Sequence, residues 1–224
     1  MGYYIDLKGI SIDKYKELLK SADLIPSRMI LKENTDDNLD IIKSHNIQNL
    51  DGLQKTLKDK KKLQELSKQF GISARFLEVL RAEINGYQQK PNRIKDFSCI
   101  DEAVVHGLEK SGLKNTLKLY EEILTQEKRN ELSNKTGISR KDIMQLTKLT
   151  DLSRIRWVNH TFAYVLLKAR YDTFEKVANS DYKEMYETIK QLNEERKIYN
   201  AHIGANDMKL CVEFAKSLDF EIEY

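Results

Sequence analysis

The sequence predicts an all-α protein of about a dozen short helices, and three observations carry that reading. Apolar residues recur three and four apart in almost every stretch between turn signals. Pro occurs only at positions 26 and 91 and Gly nine times in 224 residues, too little turn chemistry for many short strands. No apolar run approaches the roughly 18 residues that cross a membrane, while 40% hydrophobic and 33% charged residues suit a chain that buries real cores in water.

Taken in order, Tyr3 to Leu7 alternates apolar and polar residues and fits either a short strand or an extended tail. Helical spacing follows at Tyr15, Leu18 and Leu19, at Leu63, Leu66 and Phe70, and at Phe76, Leu77 and Leu80. It returns at Phe162, Val165, Leu166 and Ala169, and at Met208, Cys211, Val212 and Ala215. Phe220 to Tyr224 alternates again, and the two ends could pair as terminal strands.

A shift of 66 positions lays Glu65, Leu66, Ser67, Gly71, Ile72 and Ser73 on Glu131, Leu132, Ser133, Gly137, Ile138 and Ser139. The same shift puts Asn49 on Asn115, Leu53 on Leu119 and Leu80 on Leu146, which marks a duplicated unit. Gly-Ile-Ser reads as a tight joint. Gly ends one helix in the left-handed conformation, Ser caps the next, and Ile staples onto Leu77 or Ile143. The length suits one large domain or two small ones, and the division falls near Lys90 to Ile94, giving 1–92 and 93–224.

A second pattern precedes helices at Leu7, Gly9, Ile10 and Ser11, at Phe97, Cys99, Ile100 and Asp101, and at Ile155, Trp157, Val158 and Asn159. The stretch from Ile155 to Thr173, IRWVNHTFAYVLLKARYDT, resembles the helix-hairpin-helix pattern, in which an apolar-Gly-apolar-Gly hairpin precedes an Ala- and Leu-bearing helix. With the tail from Phe174 to Leu218, residues 94 to 218 resemble a domain-of-unknown-function family built from such units. The resemblance implies tandem helix-hairpin-helix (SAM-like) units, an arrangement that serves both nucleic-acid binding and protein scaffolding. Where that pattern has two glycines, this chain has Gly9 and Ser11, Cys99 and Asp101, and Trp157 and Asn159.

Backbone donors need close approach to a phosphate, so side chains hinder it and the Asp101 carboxylate repels it. Candidate nucleic-acid contacts are therefore Lys8, Gly9 and Ser11 in the first hairpin and Arg154, Arg156, Asn159 and His160 in the third, where Trp157 can stack on a base. Alternatively Trp157 anchors the core and its arginines are solvated. Charge is uneven: residues 171 to 224 hold 7 Lys/Arg against 12 Asp/Glu, and residues 1 to 170 hold 31 against 23. A basic portion points weakly to a polyanion. The lysines at 55, 58, 60, 61 and 62 suit a phosphate backbone or simply a solvated turn.

Other chemistry lacks support. Cys99 and Cys211 have no metal-ligand neighbours and read as small buried hydrophobes; His45, His106, His160 and His202 are dispersed; no phosphate-loop, nucleophile-elbow or dinucleotide motif occurs. The expectation is a non-catalytic module without cofactor or metal, with no signal peptide and a cytoplasmic address. Its partner is DNA, contacted without sequence preference, or alternatively a protein for which the chain is a scaffold.

Overall fold

The structure, a computed structural model, describes residues 2–224. Among the described residues it is all-helical, with thirteen α-helices, four 3-10 turns and two isolated bridges in place of any sheet. The chain divides into two compact units, Asp6–Gln88 and Gln89–Tyr224, and residues 2–5 pack with the second. Tyr3 explains that placement. Its buried ring meets the edge of Tyr120 at 5.6 Å and its hydroxyl lies 2.7 Å from Thr116 Oγ1.

In the first unit, a 3-10 turn (Leu7–Gly9) leads into α1 (Ile12–Ser21), which begins where the Ser11 hydroxyl accepts the Lys14 N–H. Ile12, Tyr15 and Leu19, at helical spacing, give α1 its buried face. Leu39 and Ile42 of α2 (Thr35–Ser44) pack with it; α3 (Leu50–Thr56), α4 (Leu63–Phe70) and α5 (Ala74–Tyr87) complete the unit around Leu53, Leu57, Leu77, Leu80 and Ile84. Lys43 pairs with Asp13 at 2.6 Å, and Lys16 pairs with Asp40; water screens such surface pairs, so they add little to the fold.

The second unit runs through α6 (Glu102–Lys110), α7 (Thr116–Tyr120), α8 (Gln126–Thr136) and α9 (Arg140–Leu152). It continues with α10 (His160–Lys168), α11 (Phe174–Ala178), α12 (Tyr182–Arg196) and α13 (Ala205–Ala215). Leu108, Leu119, Ile143, Leu146, Leu149, Leu166, Val177 and Ile189 are fully enclosed, and truncating any one to Ala costs about 2–5 kcal/mol. The alternating ends form no strands. Phe220 to Tyr224 is irregular backbone, held by the Glu223 N–H on the Leu124 carbonyl, by the Tyr120 hydroxyl on Glu221 and by the Tyr224 hydroxyl on Asp151 rather than by a strand ladder.

The Gly-Ile-Ser joints take identical form. Gly71 and Gly137 hold φ of 67° and 71°, Ser67 and Ser133 donate to the Ile72 and Ile138 carbonyls at 2.6 Å, and Ser73 and Ser139 cap the next helix. A second joint recurs three times. A left-handed residue (Asn46, Gly112, Arg170) is followed three positions later by a cap (Asn49, Asn115, Thr173) whose side chain accepts a helix N–H. The local pattern thus covers three four-helix sets, α2–α5, α6–α9 and α10–α13. In this register α2 corresponds to α6, whereas the hairpin motif aligned α1 with it. An apolar hairpin and a capping residue suit any amphipathic helix, while the joint fixes the register.

Candidate functional site

The third hairpin, between α9 and α10, is built from the core outward. Ile155 and Val158 are buried and pin both sides of the turn, and of the two residues between them Arg156 is buried and the other is turned out. That residue is Trp157, with φ of 67° and 47% of its surface exposed. Left-handed backbone is costly for a bulky side chain and persists only where the surroundings enforce it. Two side chains do so. Gln89 Oε1 accepts the Trp157 N–H at 2.7 Å while its Nε2 donates to the Val158 and Ser153 carbonyls, and Asn92 Nδ2 donates to Ser153 Oγ and the Val158 carbonyl. A rigid tip with an exposed indole results.

The candidate contacts of this hairpin separate. Asn159 is exposed, but its side-chain oxygen caps α10 by accepting the Phe162 N–H at 2.9 Å. His160 is half-buried, edge-on to Phe97. Arg156 is only 7% exposed, and its guanidinium carbon lies 4.1 Å from the Trp157 ring centre, a cation–π stack. The arginines are therefore buried and not solvated, and the tryptophan is exposed and not a core anchor.

Arg154, 5% exposed, is withdrawn from any ligand. It donates to the Tyr3, Gly2 and Asp219 carbonyls, pairs with Asp151 at 3.2 Å and lies between the rings of Tyr120 and Phe174. Asp151 also accepts the Phe174 N–H and the Tyr224 hydroxyl. Burial pushes its carboxyl above the usual carboxylate range, against the pull of Arg154. Burial likewise raises the phenols of Tyr3, Tyr120 and Tyr224. A buried, fully bonded Arg–Asp pair is a structural centre, because freeing either partner strands the other charge.

In the first unit Lys8, Gly9 and Ser11 are exposed. Their donors are engaged or shielded: Asp6 accepts the Lys8 N–H, a Cβ on Gly9 would stand 3.3 Å from the Asp6 carboxylate, and Ser11 caps α1. An acid therefore lies where a phosphate would approach the glycine. Asp101 caps α6 and is exposed. Of the lysine run, Lys55 pairs with Asp51 and Lys60 with Glu78. Burial raises both thiols, that of Cys211 to about 12. No group of His, Cys, Asp or Glu among the described residues is arranged to hold a metal, and no described helix is long and apolar enough to cross a membrane.

Sequence reasoning missed Gln89, Asn92 and Asp151. The first two lie in a polar stretch that reads as a linker, and no periodicity marks a side chain bonding a turn more than 60 residues away. Compared with known proteins, residues 98–218 match a domain of unknown function (DUF4332). No curated protein and no solved structure matches the chain.

Proposed function

We propose, for a chain that belongs to the DUF4332 family by a match over more than half its length, that it is a non-catalytic nucleic-acid-binding module of helix-hairpin-helix type whose contact point is the third hairpin. The observation that carries this reading is Trp157, an exposed indole on a clamped turn with a cation against its face. An aromatic face presented rigidly to solvent stacks on any unpaired base, and such stacking contributes about 1–3 kcal/mol per base. Charge supports it. Residues 89–170 hold 16 Lys/Arg against 10 Asp/Glu, whereas Asp6–Gln88 holds 15 against 13, so the basic excess lies mostly on the stretch that carries the hairpin. The contacts of this reading are Trp157, Asn159 and His160, with Arg156 acting through the indole and Arg154 acting only on the fold. DNA is the expected partner, and single-stranded segments suit a lone stacking residue better than a duplex.

A protein-interaction scaffold is the second reading, favoured by the exposure of Leu117, Phe220 and Trp157. Filter binding of short single-stranded and duplex oligonucleotides across a salt series separates the two. The nucleic-acid reading expects affinity that falls with salt and a loss of about 1–3 kcal/mol in Trp157→Ala, with helicity retained. No binding of either oligonucleotide at low salt and micromolar protein removes it in favour of the scaffold.

A further inference from the structure

The third hairpin offers a base one stacking surface. Arg156 lies against one face of the Trp157 indole, its guanidinium carbon 4.1 Å from the ring centre, and among the described residues no other ring or cation stacks on it. With that face covered and 47% of the residue exposed, the open surface is the opposite face. The flanking residues add no second platform: Ile155 and Val158 are buried, and the His160 ring is half-buried, edge-on to Phe97. Grooves that hold the interior of a single strand instead set out several aromatic side chains for successive bases. Cations beside the tip are equally sparse. Lys90, next in the chain to the Gln89 that bonds the Trp157 N–H, is exposed, and among the described residues no carboxylate pairs with it, whereas Arg93 is held by Asp96.

We propose that the hairpin caps the terminal base of a nucleic-acid strand. This rests on the reading of the turn as a nucleic-acid contact and narrows it to strand ends. A base inside a strand stacks on a neighbour on each side, so bringing its face to the indole breaks one of those stacks. A terminal base has one face already bare, and the indole covers it without that loss. The clamp from Gln89 and Asn92 holds the turn before any ligand arrives, which lowers the ordering cost of so small a contact. The Gln89 and Asn159 amide oxygens already accept the Trp157 and Phe162 N–H groups, so neither reads a base edge and the cap suits any base. Lys90 supplies one cation for the adjoining phosphate. A free mononucleotide carries the same base and phosphate, but residues 89–170, with 16 Lys/Arg against 10 Asp/Glu, attract the further phosphates that only a strand has.

The test titrates the whole chain at low salt with a short oligodeoxyadenylate, with one twice as long, with the longer one ligated into a circle, and with deoxyadenosine monophosphate. Binding is read by calorimetry and by the indole N–H resonance of the single tryptophan. The linear strand should bind at least about tenfold tighter than the circle, a difference of 1.4 kcal/mol, with no more than one chain per strand end at either length. Trp157→Ala and Trp157→Gly, the second suited to the left-handed turn, should both abolish the preference for the linear form in calorimetry. Lys90→Gln should lower the log-log salt slope by about 0.7, the share of one phosphate on a single strand. Equal affinity for circle and linear strand, or a stoichiometry that doubles with length, overturns end capping while the nucleic-acid reading stands. Monophosphate binding as tight as the linear strand overturns it in favour of free nucleotides, and an unchanged slope in Lys90→Gln overturns the phosphate contact. No binding of any strand overturns both readings.

Discussion

The second and third four-helix sets solve one problem in two ways. Each must fix the first N–H of its short helix just after the left-handed joint. In α6–α9 the Thr116 N–H bonds the Asn92 carbonyl while the Lys114 carbonyl takes the Ile94 N–H, an isolated antiparallel bridge. In α10–α13 the equivalent N–H, that of Phe174, bonds the buried carboxylate of Asp151. Backbone pairing is neutral and self-contained. The carboxylate needs Arg154 as counter-charge, and Arg154 in turn needs the carbonyls of Tyr3 and Asp219. Substituting a charge for a strand thus ties one helix start to both tails of the unit.

Removing the charge is the strongest probe of that difference. Asp151→Ala strands Arg154 in a buried site and should cost about 3–5 kcal/mol in urea unfolding followed by circular dichroism. Thr116→Val, which keeps the backbone bond but loses the Thr116 Oγ1 contacts with the Tyr3 hydroxyl and the Asn92 N–H, should cost about 1–2 kcal/mol. Equal losses in the two variants defeat the contrast.

The long-helix joints differ as well. Gly137 ends α8 at φ 71° and Ser139 caps α9 two residues later, whereas Lys197 ends α12 at φ 48° and α13 begins only after Gly204. A Cβ added at Gly137 meets no atom within 4 Å, so the cost of Gly137→Val is chiefly backbone strain, about 1 kcal/mol or more in thermal unfolding. Gly71→Val in the first unit should match it.

Protonation separates Asp151 from its neighbour Asp172. Burial pushes the Asp172 carboxyl up, but hydrogen bonds from Lys148 and from Lys176 at 2.5 Å outweigh it and hold the group below its usual value. A depressed carboxyl stabilises the fold fully above its unfolded value of about 3.9 and ceases to do so as pH falls through the folded value. The stability gap between the protein and Asp172→Asn should therefore be constant from pH 5 to 7 and close in acid; a gap that widens on acidification contradicts the assignment. The smallest effect is at Lys197, where Gly relieves left-handed strain and gains less than about 1 kcal/mol, because added chain entropy offsets it.

Helices with an apolar stripe were legible in the sequence, and so was the Gly-Ile-Ser joint, because both are local: a period, a cap and a positive φ lie within a few residues. α8 shows where that ends. Its only buried residues are Leu132 and Arg129, three positions apart, so a cation occupies what periodicity assigns to an apolar side chain. The hairpin misled in the same way. Arg154 and Arg156 look like surface residues and Trp157 reads as either exposed or core, and the partners that bury Arg154 and clamp the turn include Tyr3, Gln89 and Asp219, far away in sequence.

The lone tryptophan of the chain is the one held out in water against a guanidinium. Its emission in the folded protein should accordingly be that of a half-hydrated indole, and denaturation should shift it only part of the way to the red. Burial of the hairpin beneath any partner moves it to the blue instead. The molecule thus carries a single optical reporter whose shift runs to the red on unfolding and to the blue on occupancy of that turn.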